Sequence, residues 1–278
     1  MASLFPLQEF AGAVGGDRIQ ATLLLPPGAE VHTWEPKPSD VVKIAQADVF
    51  IYIGPSMEPW VDKVLKTVQA KDLKVVEASR GLPLLEADDG GGKAKGGRSE
   101  KLDPHVWLDF TLALNMVDAI AVAFSEKDPM HAPFYRNNAE NYKAKLRELD
   151  QKYLEALAKC RHRYILLSGH AAFAYLARRY GLQQISLSGV SPNAEPTPKR
   201  MAQVLQATQK HGIKYIYSEE LVNRRLSQAL AKEAKVSVLV LHPGHNLTRE
   251  EVQKKMTFLG LMEMNLRNLK RGLECEEQ

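Results

Sequence analysis

Apolar residues fall in short unbroken runs separated by amphipathic stretches, the pattern of buried parallel strands alternating with helices. Residues 19–25 form the first run, stopped by Pro26-Pro27-Gly28. Ser39-Asp40 then cap a helical stretch over 41–47. Residues 49–53 (Val-Phe-Ile-Tyr-Ile) read as a buried strand closed by Gly54-Pro55, residues 57–69 as a helix, and 74–76 as a short strand. Strand, helix, strand at this interval predicts parallel βαβ units.

From 110 to 157 the spacing is helical throughout, with a break at Lys127-Asp128-Pro129, because a proline pushes the residue before it out of the helical region. The second piece, about 130–159, has neither proline nor glycine after Pro133. At ~1.5 Å per residue it would run ~45 Å, longer than an ordinary domain helix. Strands are expected at 164–167, 184–187, 213–217 and 236–241, with helices at 171–180, 197–210, 222–234 and from 248 to about 273. The expectation is an α/β protein of two lobes with mainly parallel sheets joined by one long rigid helix. Its segments are an N-terminal metal-binding lobe at 1–129, the linking helix at 130–160 and a C-terminal metal-binding lobe at 161–278. A helix without internal glycine resists bending, so a large hinge motion is not expected.

Residues 86–101 break the alternation. They hold no apolar side chain larger than alanine, and read as a solvated loop.

Composition narrows the function classes. The 278 residues are 45% apolar and 25% charged, enough for a core in each half, and a net charge of +4 without basic clusters gives nucleic-acid binding no support. No apolar run approaches the ~20 residues of a membrane span. Residues 1–6 lack the basic and long apolar stretches of a signal peptide, which leaves a cytosolic protein or one whose leader has been removed. Two cysteines, Cys160 and Cys275, exclude a thiolate-rich zinc knuckle and allow either one bridge or two free thiols.

Four of the eight histidines sit beyond expected strand ends: His32, His105 (after the polar loop), His170 and His242. Ligands of open α/β sheets bind outside the carboxyl ends of the strands. Two of these histidines fall in each half, and four neutral imidazoles suit the tetrahedral shell of zinc. His245, in His242-Pro243-Gly244-His245, is an alternative to His242. His131, His162 and His211 read as solvent-facing. Glu35, Asp109 and Glu219 are candidate hydrogen-bond partners of the ligands, since metal-bound histidines usually donate their other ring N–H to an oxygen.

Residues 26–40 (PPGAEVHTWEPKPSD) and 47–58 (ADVFIYIGPSME) resemble the first metal-binding segment of the zinc/manganese class of ABC-transporter solute-binding proteins. Residues 103–109 (DPHVWLD) resemble the second segment and 168–181 (SGHAAFAYLARRYG) the third, with counterparts also at 191–198 and 217–219. The match runs in order over nearly the whole chain. It implies two lobes bridged by a long helix, export to the periplasm or cell surface, and delivery of the ion to a membrane permease by a monomer. His32, His105 and His170 fall on the first three ligand positions. Manganese-type members resemble this chain but carry glutamate at the third, so His170 implies zinc over manganese. The fourth position is commonly an aspartate or no ligand, so His242 departs from the pattern there, and the 86–101 loop lacks the histidines that zinc members often carry. The competing class is a zinc hydrolase with three histidines and an open position for water. The chain has no His-Glu-x-x-His helix to support it.

Overall fold

In the computed structural model the described residues are 1–68, 72–88, 102–190, 197–219 and 224–276. Most of the polar 86–101 segment, and the 191–196 part of the motif at 191–198, therefore lie outside them. The chain forms two compact units, each discontinuous in sequence. The first comprises Met1–Pro83, Phe110–Glu148 and Gly244–Phe258, the second Leu84–Asp109, Leu149–Pro243 and Leu259–Gln278. These boundaries do not coincide with the contiguous segments 1–129, 130–160 and 161–278, because the chain passes between the units several times. The long helix α5 (Ala132–Ala158) is shared, passing from one unit to the other between Glu148 and Leu149.

The first unit holds α1 (Phe5–Gly15), α2 (Pro38–Ala45), β1 (Val49–Tyr52), α3 (Val61–Thr67), β2 (Lys74–Glu77) and α4 (Phe110–Lys127). β1 and β2 pair in parallel, Val49 opposite Lys74 through Tyr52 opposite Glu77. The run 19–25 does not become a full strand; only Leu23 bridges, to Ala2, which in turn bridges Ile51 of β1. The first residues of the chain thus lie between that run and β1. Helix α1 was not expected, yet its buried Phe5, Leu7, Phe10, Ala11 and Val14 follow a helical spacing. Phe10 meets Tyr142 and Phe258 with ring centroids 5.6 and 5.3 Å apart. On the sheet, Leu24, Ile44, Phe50, Tyr52, Val61 and Val64 form one apolar cluster, with Trp34 and Trp60 against it.

The second unit carries a four-stranded parallel sheet: β3 (Tyr164–Leu167), β4 (Gln183–Ser186), β5 (Tyr215–Ser218) and β6 (Ser237–Val240), in the order β4-β3-β5-β6. Helices α6 (Ala174–Arg179), α7 (Pro198–His211) and α8 (Arg224–Ala234) connect the strands. Strand order reverses between β3 and β5, the switch point at which such sheets open a crevice. The expected last helix is two, α9 (Arg249–Gln253) and α10 (Phe258–Gly272), with Lys255 between them at φ 52°. Gly272 lies against Tyr217, where an added Cβ would come within 2.2 Å of the phenol oxygen. Cys160 and Cys275 are joined, tying the end of α5 to the residues after α10. The bridge spans 115 residues, and a loop of that length corresponds to about 4–5 kcal/mol of lost unfolded-chain entropy. His162, expected to face solvent, is instead buried beside Glu274, 3.7 Å from its carboxylate. Among the described residues no helix is long and apolar enough to cross a membrane.

A buried carboxylate fixes the turn after β1. Glu58 accepts hydrogen bonds from the Ser3 hydroxyl (2.5 Å), the Ile53 amide (3.1 Å) and the Gly54 amide (3.0 Å). Burial nevertheless dominates and pushes its pKa from 4.5 up to about 7. The folded state therefore favours the protonated acid, a contribution complete below about 4.5 and lost as pH rises through about 7. A glutamine at this position can accept from the same amides and donate to Ser3 without a buried charge. Glu58→Gln is expected to raise the melting temperature at pH 8 by several degrees and to change it far less at pH 5. Equal shifts at both pH values in calorimetry would contradict the buried-charge account.

Candidate metal centre

The second unit brings two imidazoles together at its switch point. Residues 168–173 follow β3 and carry His170; Glu219 directly follows β5. Glu219 Oε1 accepts from His170 Nδ1 at 2.8 Å and from the His170 backbone amide at 3.2 Å. His105 stands two residues beyond Asp103, in the turn Asp103-Pro104-His105 that precedes a 3-10 turn, Val106–Leu108. Asp103 Oδ1 accepts from both the His105 amide (2.9 Å) and His105 Nδ1 (2.8 Å). Tyr175 of α6 donates its hydroxyl to the Asp103 carbonyl at 2.9 Å, which fixes the turn on that helix.

Each carboxylate accepts the Nδ1 proton, so the neutral rings keep their lone pairs at Nε2. The two Nε2 atoms face each other 3.2 Å apart. Two acceptors at that distance repel unless a cation lies beside both. Four nitrogens at ~2.0–2.1 Å from a tetrahedral ion are themselves ~3.4 Å apart, so the pair already has the edge length of such a shell. Both histidines are buried, at 0% and 1% exposure, as are Asp103 and Glu219. Burial, then the neighbouring His170, hold His105 well below its ordinary pKa, so it stays neutral and able to coordinate. Burial raises Asp103 to about 7.

The first unit supplies a second pair. His32 lies in the loop after the run 19–25, its amide donating to Glu30 Oε1 at 3.1 Å. His245 is buried in the segment before α9, and its carbonyl accepts from the Phe5 amide at 3.2 Å. The two rings are perpendicular, with centroids 6.3 Å apart. Gly28 and Gly244, with φ of 78° and 73°, take the left-handed backbone that these two loops need.

His242 is placed differently. Its backbone is held from both sides by buried Asn265, whose Oδ1 accepts from the His242 amide (2.8 Å) and whose Nδ2 donates to its carbonyl (2.7 Å). Among the described residues it belongs to no group of three potential ligands whose ligating atoms lie within 4.8 Å of one another. Of the acids expected beside the ligands, Glu219 takes that place. Glu35 is exposed, and Asp109 lies 3.8 Å from Arg178. Asp103 was missed. Its signal is local: an acid two residues before a histidine, across a proline, can cap both the amide and the ring of that histidine.

A two-lobed α/β fold with carboxylate-backed histidines at a sheet switch point defines the class of metal-binding solute carriers. The chain belongs to the zinc-uptake complex component A family (periplasmic), whose pattern matches residues 1–272. It is 36% identical over 282 residues to the zinc-binding lipoprotein AdcA of Streptococcus pneumoniae, covering 99% of this chain and 56% of that protein. It is 33% identical to the high-affinity zinc uptake system protein ZnuA of Bacillus subtilis, covering 98% of this chain and 86% of that one. The crystal structure of the Zn(II)-bound ZnuA-like domain of Streptococcus pneumoniae AdcA superposes with a TM-score of 0.83 at 37% identity, over 98% of this chain and 97% of that one. The chain spans about half the length of the streptococcal relative. The family is one of metal carriers and not of enzymes.

Outer partners of metal-bound histidines commonly contribute about ten- to a hundredfold in affinity. Asp103→Ala and Glu219→Ala are each expected to weaken zinc binding by about that factor. Competition against a chromophoric chelator measures it, and undiminished affinity in either variant would show that its carboxylate does not tune the ring beneath it.

Proposed function

We propose that this protein captures a single zinc ion with His32, His105, His170 and His245 and hands it to the permease of an ABC importer. Under this reading it acts as a monomer at the cell surface or in the periplasm and catalyses no reaction. The observation that carries it is the 3.2 Å approach of the His105 and His170 Nε2 atoms, each ring backed by a carboxylate. That arrangement asks for a cation and supplies borderline nitrogen donors, which suit zinc better than the harder manganese. His32 enters because it shares its unit with the buried His245, ring to ring, and because the first ligand segment of the family coincides with residues 26–40. His245 replaces His242 as the fourth ligand in this proposal, since His242 stands apart from the groupings of potential ligands. The names of the relatives, a zinc-binding lipoprotein and a zinc uptake protein, support the same cargo.

Four imidazoles without a thiolate give a shell that must form and release. Each ring has to be neutral to bind, so protons compete with the ion and acidification favours release.

Two titrations test the assignment. Zinc is expected to outcompete manganese by at least about tenfold, following the Irving–Williams order; equal or tighter manganese binding would remove the zinc assignment. His245→Ala is expected to weaken zinc binding by at least about tenfold, the lower end of what even an outer partner contributes, while His242→Ala leaves it near the parent value. The reverse pattern would return the fourth position to His242.

A further inference from the structure

Around His32 the loop is held by apolar packing, with Val31 buried and Trp34 against the cluster on the sheet, but its first turn, residues 26–29, is little buried. Pro26, Pro27 and Gly28 are all exposed, and Ala29 and Glu30 are only half-buried. What fixes that turn to the segment that carries His245 is hydrogen bonding, and most of it comes from one side chain. Asn246 is fully buried. Its Nδ2 donates to the carbonyls of Pro26 and Ala29, both at 2.9 Å, while its Oδ1 accepts from the Leu247 amide at 2.8 Å. The Leu247 carbonyl then accepts from the Gly28 amide at 2.8 Å. The two carbonyls bound by Asn246 bracket a turn closed by the Ala29 amide on the Pro26 carbonyl at 3.1 Å. His32 follows this turn by three residues, and His245 precedes Asn246 by one.

We propose that Asn246 is a positioning residue for metal binding: its carboxamide clamps the His32 loop to the His245 segment and sets the spacing of those two rings. The inference rests on reading His32 and His245 as zinc ligands, and adds the group that holds them in register. The chemistry selects asparagine. A carboxamide donates two hydrogens from one atom and accepts with the other. An ionised aspartate of the same size only accepts, and would turn an oxygen toward two carbonyls. Alanine offers neither function. Asn246 reaches the ion only through its neighbours, so its removal should act on affinity and ligand geometry without removing a ligand.

The test compares Asn246→Ala and the nearly isosteric Asn246→Asp with His32→Ala, His245→Ala and the parent protein. Zinc affinity is read by chelator competition, and geometry by the visible absorption of the cobalt(II)-substituted proteins. Both Asn246 variants are expected to bind one ion, about ten- to a hundredfold more weakly than the parent, with altered cobalt bands. A purely space-filling role would leave the aspartate variant at parent affinity with the parent cobalt spectrum, and that result overturns the proposal. Parent affinity in both Asn246 variants, beside weakened His32→Ala and His245→Ala, overturns the clamp alone. Parent affinity in all four overturns the ligand reading with it. Should the variants fail to fold, hydrogen exchange in the metal-free parent decides: the amides of residues 28 and 29 are expected to be protected, and exchange at open-loop rates would refute the clamp.

Discussion

The candidate site depends first on two carboxylates that never need to touch the ion. Asp103 and Glu219 each accept an Nδ1 proton, and by doing so decide which nitrogen of His105 and His170 carries the lone pair. With both tautomers set, the Nε2 atoms meet at 3.2 Å in a buried setting where an uncompensated pair of acceptors is unfavourable. The fold holds this local conflict in place through rigid parts: Glu219 at the end of β5, His170 after the neighbouring β3, and Asp103 tied by Tyr175 to α6. A dication beside both nitrogens would resolve it.

The two units hold their histidines in different ways. In the second, both histidines stand on turns anchored to strand ends and a helix. In the first, His32 belongs to a partly buried loop whose first turn is joined to the buried His245 segment by backbone bonds and the Asn246 amide. One pair is held by the sheet, the other by a small hydrogen-bond network.

Buried ties of the same kind recur elsewhere in each unit. The Cys160–Cys275 bridge ties the end of α5 to the residues after α10, and Asn265 of α10 holds the backbone at His242 from both sides. In the first unit Glu58 binds the opening residues of the chain to the turn after β1. Such buried polar ties specify a single arrangement because each would leave unsatisfied groups if it slipped.

The alternation of apolar runs and helical stretches was enough to determine two α/β lobes, parallel strands and the long helix, because strand burial and helix amphipathicity are written in local periodicity. The run 19–25 misled for the same reason: it is apolar like a strand, but only Leu23 bridges. His105 and His170 were legible as candidates because they follow a turn and a strand end that the sequence marks. Sequence could not choose between His242 and His245, three residues apart in one loop. In the structure Asn265 holds the backbone at His242, Gly244 takes the left-handed conformation, and the carbonyls of His245 and Leu247 accept from the Phe5 and Gly28 amides. Nor could sequence show Asp103 under His105, Asn246 across 217 and 220 residues from its two carbonyls, or Cys160 paired with Cys275. Local pattern determines which face of an element is buried; only the packed chain decides which polar atoms meet there.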